Sequence, residues 1–214
     1  MSLTLLNHPL ALRSLSRLRS VGTSPAEFRD SLRQLVTLLA FDATRDLAVR
    51  ETEIDTPMCR TTGHELSQRV ALVPILRAGL GMVDPLLELL PDAHVWHLGI
   101  YRDEATAEPV EYYSKLPDRD PPDIALVLDP MLATGGSAVC ALKKLRDWGV
   151  PQLKVLSIIA AQPGIDYVRA EFPNVQIHVC AVDPELNDRK FIVPGLGDAG
   201  DRMFHTGGQA NPTG

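Results

Sequence analysis

Residues 124–137 read IALVLDPMLATGGS, and this stretch decides the fold class that the sequence predicts. It opens with an apolar run, Ile124 to Leu128, which is typical of a strand buried on both faces of a sheet. An acid, Asp129, ends the run, and small residues then lead into an amphipathic stretch that begins at Ser137. The segment therefore predicts a strand, a loop and a helix in direct succession, the repeating unit of parallel α/β sheets.

The loop between this strand and helix has the composition of a phosphate-binding turn. Gly135 and Gly136 permit close backbone approach, and backbone N–H groups at a helix N-terminus attract anions. Thr134 and Ser137 add hydroxyl donors, while the Gly-Lys-Ser/Thr ending of a Walker loop is absent. An ordinary βα turn would also contain glycine and serine. The carboxylate of Asp129, which could accept hydrogen bonds from sugar hydroxyls, is what favours a bound sugar phosphate.

The run VLDPMLATGGS resembles the loop that binds phosphoribosyl pyrophosphate (PRPP) in the type I phosphoribosyltransferases. Its residue sequence is most similar to that of the uracil branch. Most members of this superfamily carry two adjacent acids here, whereas a single acid followed by proline matches the uracil branch. The resemblance implies that PRPP is bound by Asp129, Pro130, Met131, Leu132, Ala133, Thr134, Gly135, Gly136 and Ser137.

A second motif, VALVPILRAGLGM at 70–82, places an arginine at the end of another apolar run. Arg77 could hold an anion with its guanidinium fork, assisted by backbone N–H groups near Gly79 and Gly81. Taken alone, Arg77 reads more readily as a surface arginine at a turn. The phrase resembles the pyrophosphate loop of the family, however, which implies that Arg77 binds the pyrophosphate of PRPP.

The stretch GIYRDEATAEPVEYY at 99–113 leaves a predicted strand and becomes strongly charged. The resemblance implies that Arg102 also binds the pyrophosphate, from the root of a mobile loop. Closure of such a loop would exclude water from a reactive sugar cation. The residues alone leave a solvated loop with an ordinary surface arginine equally open.

The stretch IVPGLGDAGDR at 192–202 resembles the uracil-binding hood of the family. By position, Ile192, Gly197 and Ala199 would offer backbone groups to the base, and Asp198 would face the reaction centre and contact both substrates. Fixed backbone groups can match the edge of uracil, whereas cytosine would leave buried polar groups unpaired and be rejected by about 10⁴-fold. Phe191 stands where many relatives have tyrosine, so one hydroxyl is lost and the ring is kept.

Further strands and helices alternate along the rest of the chain. We predict strands at 70–76, 94–100, 154–159 and 175–182, and helices from 24 onward and near 80–90, 137–148 and 165–172. The fold class is therefore α/β, with a parallel sheet flanked by helices, a small C-terminal hood and an N-terminal arm. We expect one domain at 1–206, with its core at about 60–182, its hood at about 183–206, and a disordered tail at 207–214.

Composition restricts the classes of function that fit the chain. A net charge of −6 argues against nonspecific binding to nucleic acid or anionic membrane, and no apolar stretch approaches the roughly 18 residues of a membrane span. The cysteines Cys59, Cys140 and Cys180 are odd in number and far apart, which favours reduced thiols in the cytoplasm. His94 and His97 would lie on opposite faces of a strand, so we expect no metal site there.

The resemblance implies a pentosyl transfer in which uracil and PRPP give UMP and diphosphate, a step of pyrimidine salvage. It implies catalytic roles for Arg77, Arg102 and Asp198, and Mg²⁺ as a cofactor held mainly by PRPP and water. It also implies a homodimer or higher oligomer and permits activation by GTP, which the residues leave open. Two alternatives are a PRPP-sensing regulator that binds RNA or DNA, and a phosphoribosyltransferase for another base such as a purine.

Overall fold

The computed structural model describes residues 3–102 and 109–206, with the side chain of Arg102 left out, so the tail expected at 207–214 lies outside the described residues. The strands are β1 Leu3–Leu5, β2 Val49–Asp55, β3 Arg60–Leu66, β4 Val70–Leu76, β5 His94–Val95, β6 Leu98–Arg102, β7 Pro109–Ser114, β8 Ile124–Leu128, β9 Met131–Leu132, β10 Gln152–Ala161, β11 Gln176–Asp183, β12 Glu185–Leu186 and β13 Ile192–Val193. The helices are α1 Pro9–Arg19, α2 Pro25–Ala43, α3 Val83–Leu89, α4 Gly136–Trp148, α5 Gln162–Glu171 and α6 Ala199–Phe204, and a 3₁₀ turn spans Ala78–Met82.

The main sheet has the strand order β1-β11-β10-β8-β4-β6-β7, with β5 beside β4 and β9 beside β10. Every pairing in it is parallel except that of β6 with the edge strand β7. The predicted parallel sheet flanked by helices is therefore confirmed. Because the central strands are parallel, their carboxyl ends meet at one edge, where ligands bind in open α/β sheets.

Alternate residues of the central strands face two separate cores. Leu72 and Leu126 point to the core that contains α1, α2, α3 and α6, whereas Val73 and Val127 point to the core that contains α4 and α5. Since side chains of a strand alternate between faces, each central strand must be apolar throughout to fill both cores. All five residues of β8 are accordingly buried.

Helix α2 begins near the predicted residue 24 with a capping box and contributes to the first of these cores. The Ser24 hydroxyl accepts from the backbone N–H of Glu27, whose carboxylate accepts from the Ser24 backbone N–H. Its buried face comprises Phe28, Ser31, Leu32, Leu35, Val36, Leu39, Ala40 and Ala43. Helix α2 therefore supplies one of the main apolar faces of this core.

Two predicted elements are divided in the structure. The strand expected at 94–100 is split into β5 and β6, which pair with β4 in the same register on either side of the break. The break lies opposite Pro74, which has no N–H to donate to the ladder. The helix expected at 80–90 is a 3₁₀ turn followed by the short helix α3.

The hairpin β2–β3 lies off the main sheet as a separate antiparallel pair. Its sequences, VRETEID and RTTGHEL, have no continuous apolar face, and nearly all of their residues are exposed. The hairpin is therefore separate from the main sheet, in which β4 is a central strand. None of the helices within residues 3–102 and 109–206 combines the length and apolar character needed to cross a bilayer.

The N-terminal arm, whose contacts the sequence left open, holds the C-terminal hood. Arg19 binds the carboxylate of Asp183 through two bonds of 2.8 and 2.6 Å and also donates to the carbonyl of Gly195, at 2.8 Å. Asp183 is almost fully buried at the end of β11 and accepts from the backbone N–H of Gly195 at 3.0 Å. Such bidentate pairs combine charge with fixed geometry, so the arm fixes the position of the Gly195 turn.

We expect Arg19→Met to lower the free energy of unfolding by about 3 kcal/mol, because the buried Asp183 carboxylate would lose its cation. Arg33→Met is the matched control, since Arg33 pairs with Glu88 at 2.7 Å where both side chains are more than half exposed. That variant should lose no more than about 1 kcal/mol. Urea denaturation at one protein concentration measures both losses, and equal losses would contradict a special role for the Arg19 contact.

Candidate active site

A cleft of about 250 Å³ opens at the carboxyl end of β8. Its lining combines the loop after β8 with the hood, and it consists of Asp129, Met131, Leu132, Ala133, Thr134, Gly135, Ser137, Ala138, Lys190, Phe191 and Asp198. Most of the residues predicted to bind PRPP therefore meet Asp198, although more than 60 residues separate them in sequence. Pro130 and Gly136 are absent from this lining: the carbonyl of Pro130 accepts from Ile158 and Ile159 of β10, and Gly136 is the first residue of α4.

The phosphate-loop residues pack directly on the start of α5. Gly135 has φ +84°, which favours glycine, and a Cβ there would lie 2.8 Å from the carbonyl oxygen of Gly164. A Cβ at Gly164 would in turn lie 2.3 Å from the carbonyl oxygen of Ala133. A Cβ on Gly136 would make only ordinary contacts, the nearest being with Cδ of Pro109 at 3.6 Å. The loop conformation therefore depends on Gly135 and on Gly164, which the sequence had not indicated.

Asp129 is half-buried at the floor of the cleft. One carboxylate oxygen accepts from the backbone N–H of Met131 at 3.1 Å. Loss of solvation raises the pKa of Asp129 to about 7, the hydrogen bond from Met131 opposes this rise, and the negative charge of Asp198 adds to it. Burial therefore favours the protonated form of Asp129 more than it would for a solvated carboxyl.

Asp198 stands at the start of α6, where its side chain accepts from the backbone N–H of Asp201 at 2.8 Å. The preceding turn requires glycine at two positions, because Gly195 has φ +63° and Gly197 has φ +78°. Ile192 and Ala199 are buried within the hood, while Gly197 is exposed. Gly197 and Ala199 flank Asp198 in the chain, and none of the three predicted uracil contacts lines the cleft.

Arg77 does not line the cleft, but its guanidinium lies close to Asp198. Its peptide bond with Leu76 is cis. Its guanidinium donates to the Asp201 carboxylate at 3.0 Å and to the Thr206 hydroxyl at 3.2 Å. A Cβ placed on Gly200 would be 3.2 Å from a carboxylate oxygen of Asp198 and 3.7 Å from Nη2 of Arg77, so both groups flank this glycine. The predicted pyrophosphate arginine is thus in contact with the hood.

The two glycines that follow Arg77 serve packing. A Cβ at Gly79 would lie 2.4 Å from the carbonyl oxygen of Leu128, and one at Gly81 would lie 2.3 Å from Sδ of Met203. The turn after β4 therefore touches both the end of β8 and helix α6. The sequence suggested that backbone groups near these glycines assist anion binding, and the contacts give them a packing role.

The side chain of Arg102 lies outside the described residues, so only its backbone position is known. Strand β6 ends at Arg102, which pairs with Pro109 of β7. Pro109 is close to the start of α4, because its Cδ would be 3.6 Å from a Cβ on Gly136. The backbone of Arg102 therefore ends near the phosphate loop.

Several residues of the site received no binding role from the sequence motifs. Lys190 and Phe191 line the cleft, and Lys190 has a left-handed backbone with φ 64° that no sequence pattern indicated. Asp201 and Thr206 hold Arg77. Asp201 falls within the hood motif, three residues after Asp198, where acids are common in a first helical turn. Its partner could not be inferred from that position.

Comparisons with known proteins agree with this arrangement. The family model described as uracil phosphoribosyltransferase matches residues 5–206. Curated relatives of that name come from Roseiflexus castenholzii, 55% identical over 94% of this chain and 96% of the relative, and from Clostridium botulinum (strain Eklund 17B / Type B), 49% identical over the same shares. The relative from Malacoplasma penetrans is 45% identical and covers 94% of this chain and 97% of its own.

Solved structures agree in fold. The AQ2163 protein from Aquifex aeolicus has a TM-score of 0.91 and 37% identity, and the match covers 96% of this chain and 99% of that one. A hypoxanthine-guanine phosphoribosyltransferase from Bacillus anthracis has a TM-score of 0.50 at 12% identity over 74% of this chain and 80% of its own, which shows the fold alone. The resemblance read from the loop after β8 is confirmed. With the match of residues 5–206 and relatives sharing about half of its residues, this chain belongs to the uracil phosphoribosyltransferase family.

Proposed function

We propose that this chain transfers the phosphoribosyl group of PRPP to N1 of uracil, giving UMP and diphosphate as a step of pyrimidine salvage. The observation that carries this proposal is the meeting of three groups in one place. The loop after Asp129 forms one wall of the cleft, Asp198 of the hood forms another, and Arg77 lies just beyond Asp198. A sugar phosphate bound to the loop would extend its reactive carbon toward the hood.

Each group then has a chemical task. N–H groups and hydroxyls of Ala133 to Ser137 bind the 5′-phosphate, and Asp129 accepts hydrogen bonds from the ribose hydroxyls. Arg77, with Arg102, draws charge onto the departing pyrophosphate as the C1–oxygen bond loosens and the sugar acquires oxocarbenium character. Asp198 aligns N1 of uracil, which loses its proton as the bond to C1 forms, and the departing diphosphate takes up that proton. Most of the rate acceleration comes from holding the two reactants close together and in the reactive orientation.

We propose Mg²⁺ as the cofactor. Two carboxylates, Asp129 and Asp198, face one cleft closely enough for the charge of Asp198 to raise the pKa of Asp129, so a cation carried in with PRPP fits this site. Oxygen is the donor that Mg²⁺ prefers. Among the described residues no group of three or more His, Cys, Asp or Glu side chains could hold a metal ion, so PRPP and water would supply most ligands. When bound, the ion neutralises pyrophosphate charge.

Assembly, regulation and location are further parts of the proposal. The β2–β3 hairpin and the turn between its strands expose Val49, Ile54, Met58 and Leu66 away from the sheet, a surface that a second copy of the chain could cover. All three cysteines are free, which suits a reducing cytoplasm. Light scattering tests for a homodimer or larger assembly, and rates with and without GTP test for activation.

The decisive experiment is incubation with PRPP, Mg²⁺ and a panel of bases. We expect UMP from uracil and little product from cytosine, hypoxanthine or guanine, since the hood presents fixed backbone groups. Turnover of a purine without uracil would reject the assignment, and so would tight, salt-sensitive RNA binding without any turnover. A parallel reaction that contains a metal chelator tests the role of Mg²⁺. Activity that persists in the chelator would remove the ion from the proposal.

The raised pKa of Asp129 predicts a pH dependence. With a pKa of about 7, about nine in ten of these carboxyls carry a proton at pH 6 and about one in ten at pH 8. The protonated form must lose its proton before it can accept from two ribose hydroxyls. The KM for PRPP should therefore fall by about tenfold from pH 6 to pH 8. Asp129→Asn should raise this KM and flatten its profile, and a profile that stays steep would assign the titration to another group.

The glycine contact beneath the phosphate loop gives a second prediction. Gly164→Ala should raise the KM for PRPP by about tenfold or more, because the new methyl group would meet the Ala133 carbonyl oxygen 2.3 Å away and displace the loop. Gly22→Ala is the matched control, since a Cβ there has no neighbour within 4 Å. Initial rates at varied PRPP concentration give the KM for PRPP of both variants. Unchanged kinetics in Gly164→Ala would show that the loop tolerates the shift.

A further inference from the structure

The guanidinium of Arg77 is hydrogen-bonded to two side chains of the hood. We propose that Asp201 is a positioning residue that ties the uracil hood to the pyrophosphate-binding Arg77 and so couples the binding of the two substrates. This inference rests on the proposed function, because it assumes that Arg77 and the hood serve different substrates. It adds a role for Asp201, which touches neither substrate in the proposed mechanism.

The contact is a closed set of three hydrogen bonds. Arg77 donates to a carboxylate oxygen of Asp201 at 3.0 Å and to the hydroxyl of Thr206 at 3.2 Å. Thr206 donates its own hydroxyl proton to the same oxygen of Asp201, at 2.7 Å. Each of the three side chains thus fixes the other two. A set of this kind holds the guanidinium plane in one orientation, which a lone ion pair would not do.

Asp201 is also tied to the residues that meet the base. Its backbone N–H donates to the side chain of Asp198 at 2.8 Å, and it lies two residues beyond Ala199. Helix α6 is further held by Arg202, which donates to the carbonyl of Leu196 at 2.8 Å. Any movement of the 196–199 turn therefore carries Asp201 with it. The orientation of Arg77 follows the position of the hood.

The same arginine can hold the hood and the pyrophosphate together. The two bonds to Asp201 and Thr206 use one N–H on each terminal nitrogen, and the other N–H groups of the guanidinium can bind phosphate oxygens. A hood drawn into place by uracil thus orients Arg77 for pyrophosphate, and pyrophosphate on Arg77 favours the same hood position. By linkage, each substrate must strengthen the binding of the other by the same factor.

The alternative is an ordinary surface ion pair. Arg77 and Asp201 have side-chain exposures of 56% and 36%, and pairs this exposed contribute little to stability. Removing the charge of Asp201 could also alter PRPP affinity by simple electrostatics. That effect would be the same with and without uracil. Only a physical link changes the ratio between the two conditions, so this ratio is what the experiment must measure.

The test is a matrix of initial rates over both substrate concentrations, which gives the factor by which saturating PRPP lowers the KM for the base. We expect a factor of about 10 in the unaltered protein, in the range usual for coupled sites. Asp201→Ala should reduce it to about 1 to 2, and Asp201→Asn, which keeps an acceptor, should restore part of it. Thr206→Val should give a coupling factor between those of the unaltered protein and Asp201→Ala.

Glu88→Ala is the matched control, because it removes an exposed ion pair with Arg33 far from the hood. Its coupling factor should equal that of the unaltered protein. An unchanged factor in both Asp201→Ala and Thr206→Val would overturn the inference, even if both KM values rise. The matrix uses whichever base the protein turns over in the panel. A failure of the uracil assignment therefore leaves the coupling measurement intact, and the two ideas fail separately.

Discussion

Backbone segments meet at the carboxyl end of β8 more closely than any side chain would permit, and the site depends on this constraint. The turn after β4 reaches the carbonyl of Leu128 through Gly79, and the start of α5 reaches the carbonyl of Ala133 through Gly164. A real Cβ does not approach a backbone oxygen at the 2.4 and 2.3 Å separations found there. Glycine is therefore required at two positions that contact no proposed ligand directly.

This close approach explains how a site rich in backbone donors stays rigid. The phosphate loop is supported from below by α5, and the Arg77 turn is supported by β8 and by Met203 of α6. In the proposed mechanism, groups held in this way would not need to reorganise when charge develops on the leaving pyrophosphate, which is the condition for effective electrostatic stabilisation. Asp129 differs from them, because burial raises its pKa and disfavours its charged form.

The sequence predicted what is local and missed what is distant. The strand, acid and loop at 124–137 carry their own signals, and the structure has them as β8, Asp129 and the start of α4. The link from Arg77 to Asp201 joins residues 124 positions apart, and no pattern within either motif specifies it. Gly79 and Gly81 were correctly placed but assigned to anion binding, because their packing partners, Leu128 and Met203, become neighbours only in the fold. The division of the predicted strand 94–100 into β5 and β6 could in principle be predicted from Pro74, since proline interrupts the hydrogen-bond ladder between strands.

The bidentate ion pair between Arg19 and Asp183 has a consequence for biosynthesis. These residues are 164 positions apart, and Asp183 also anchors the Gly195 turn. During translation the arm emerges first, and Asp183 follows only after most of the described chain has been made. Arg19 can therefore fix the Gly195 turn only once the segment around residue 195 has also been synthesised.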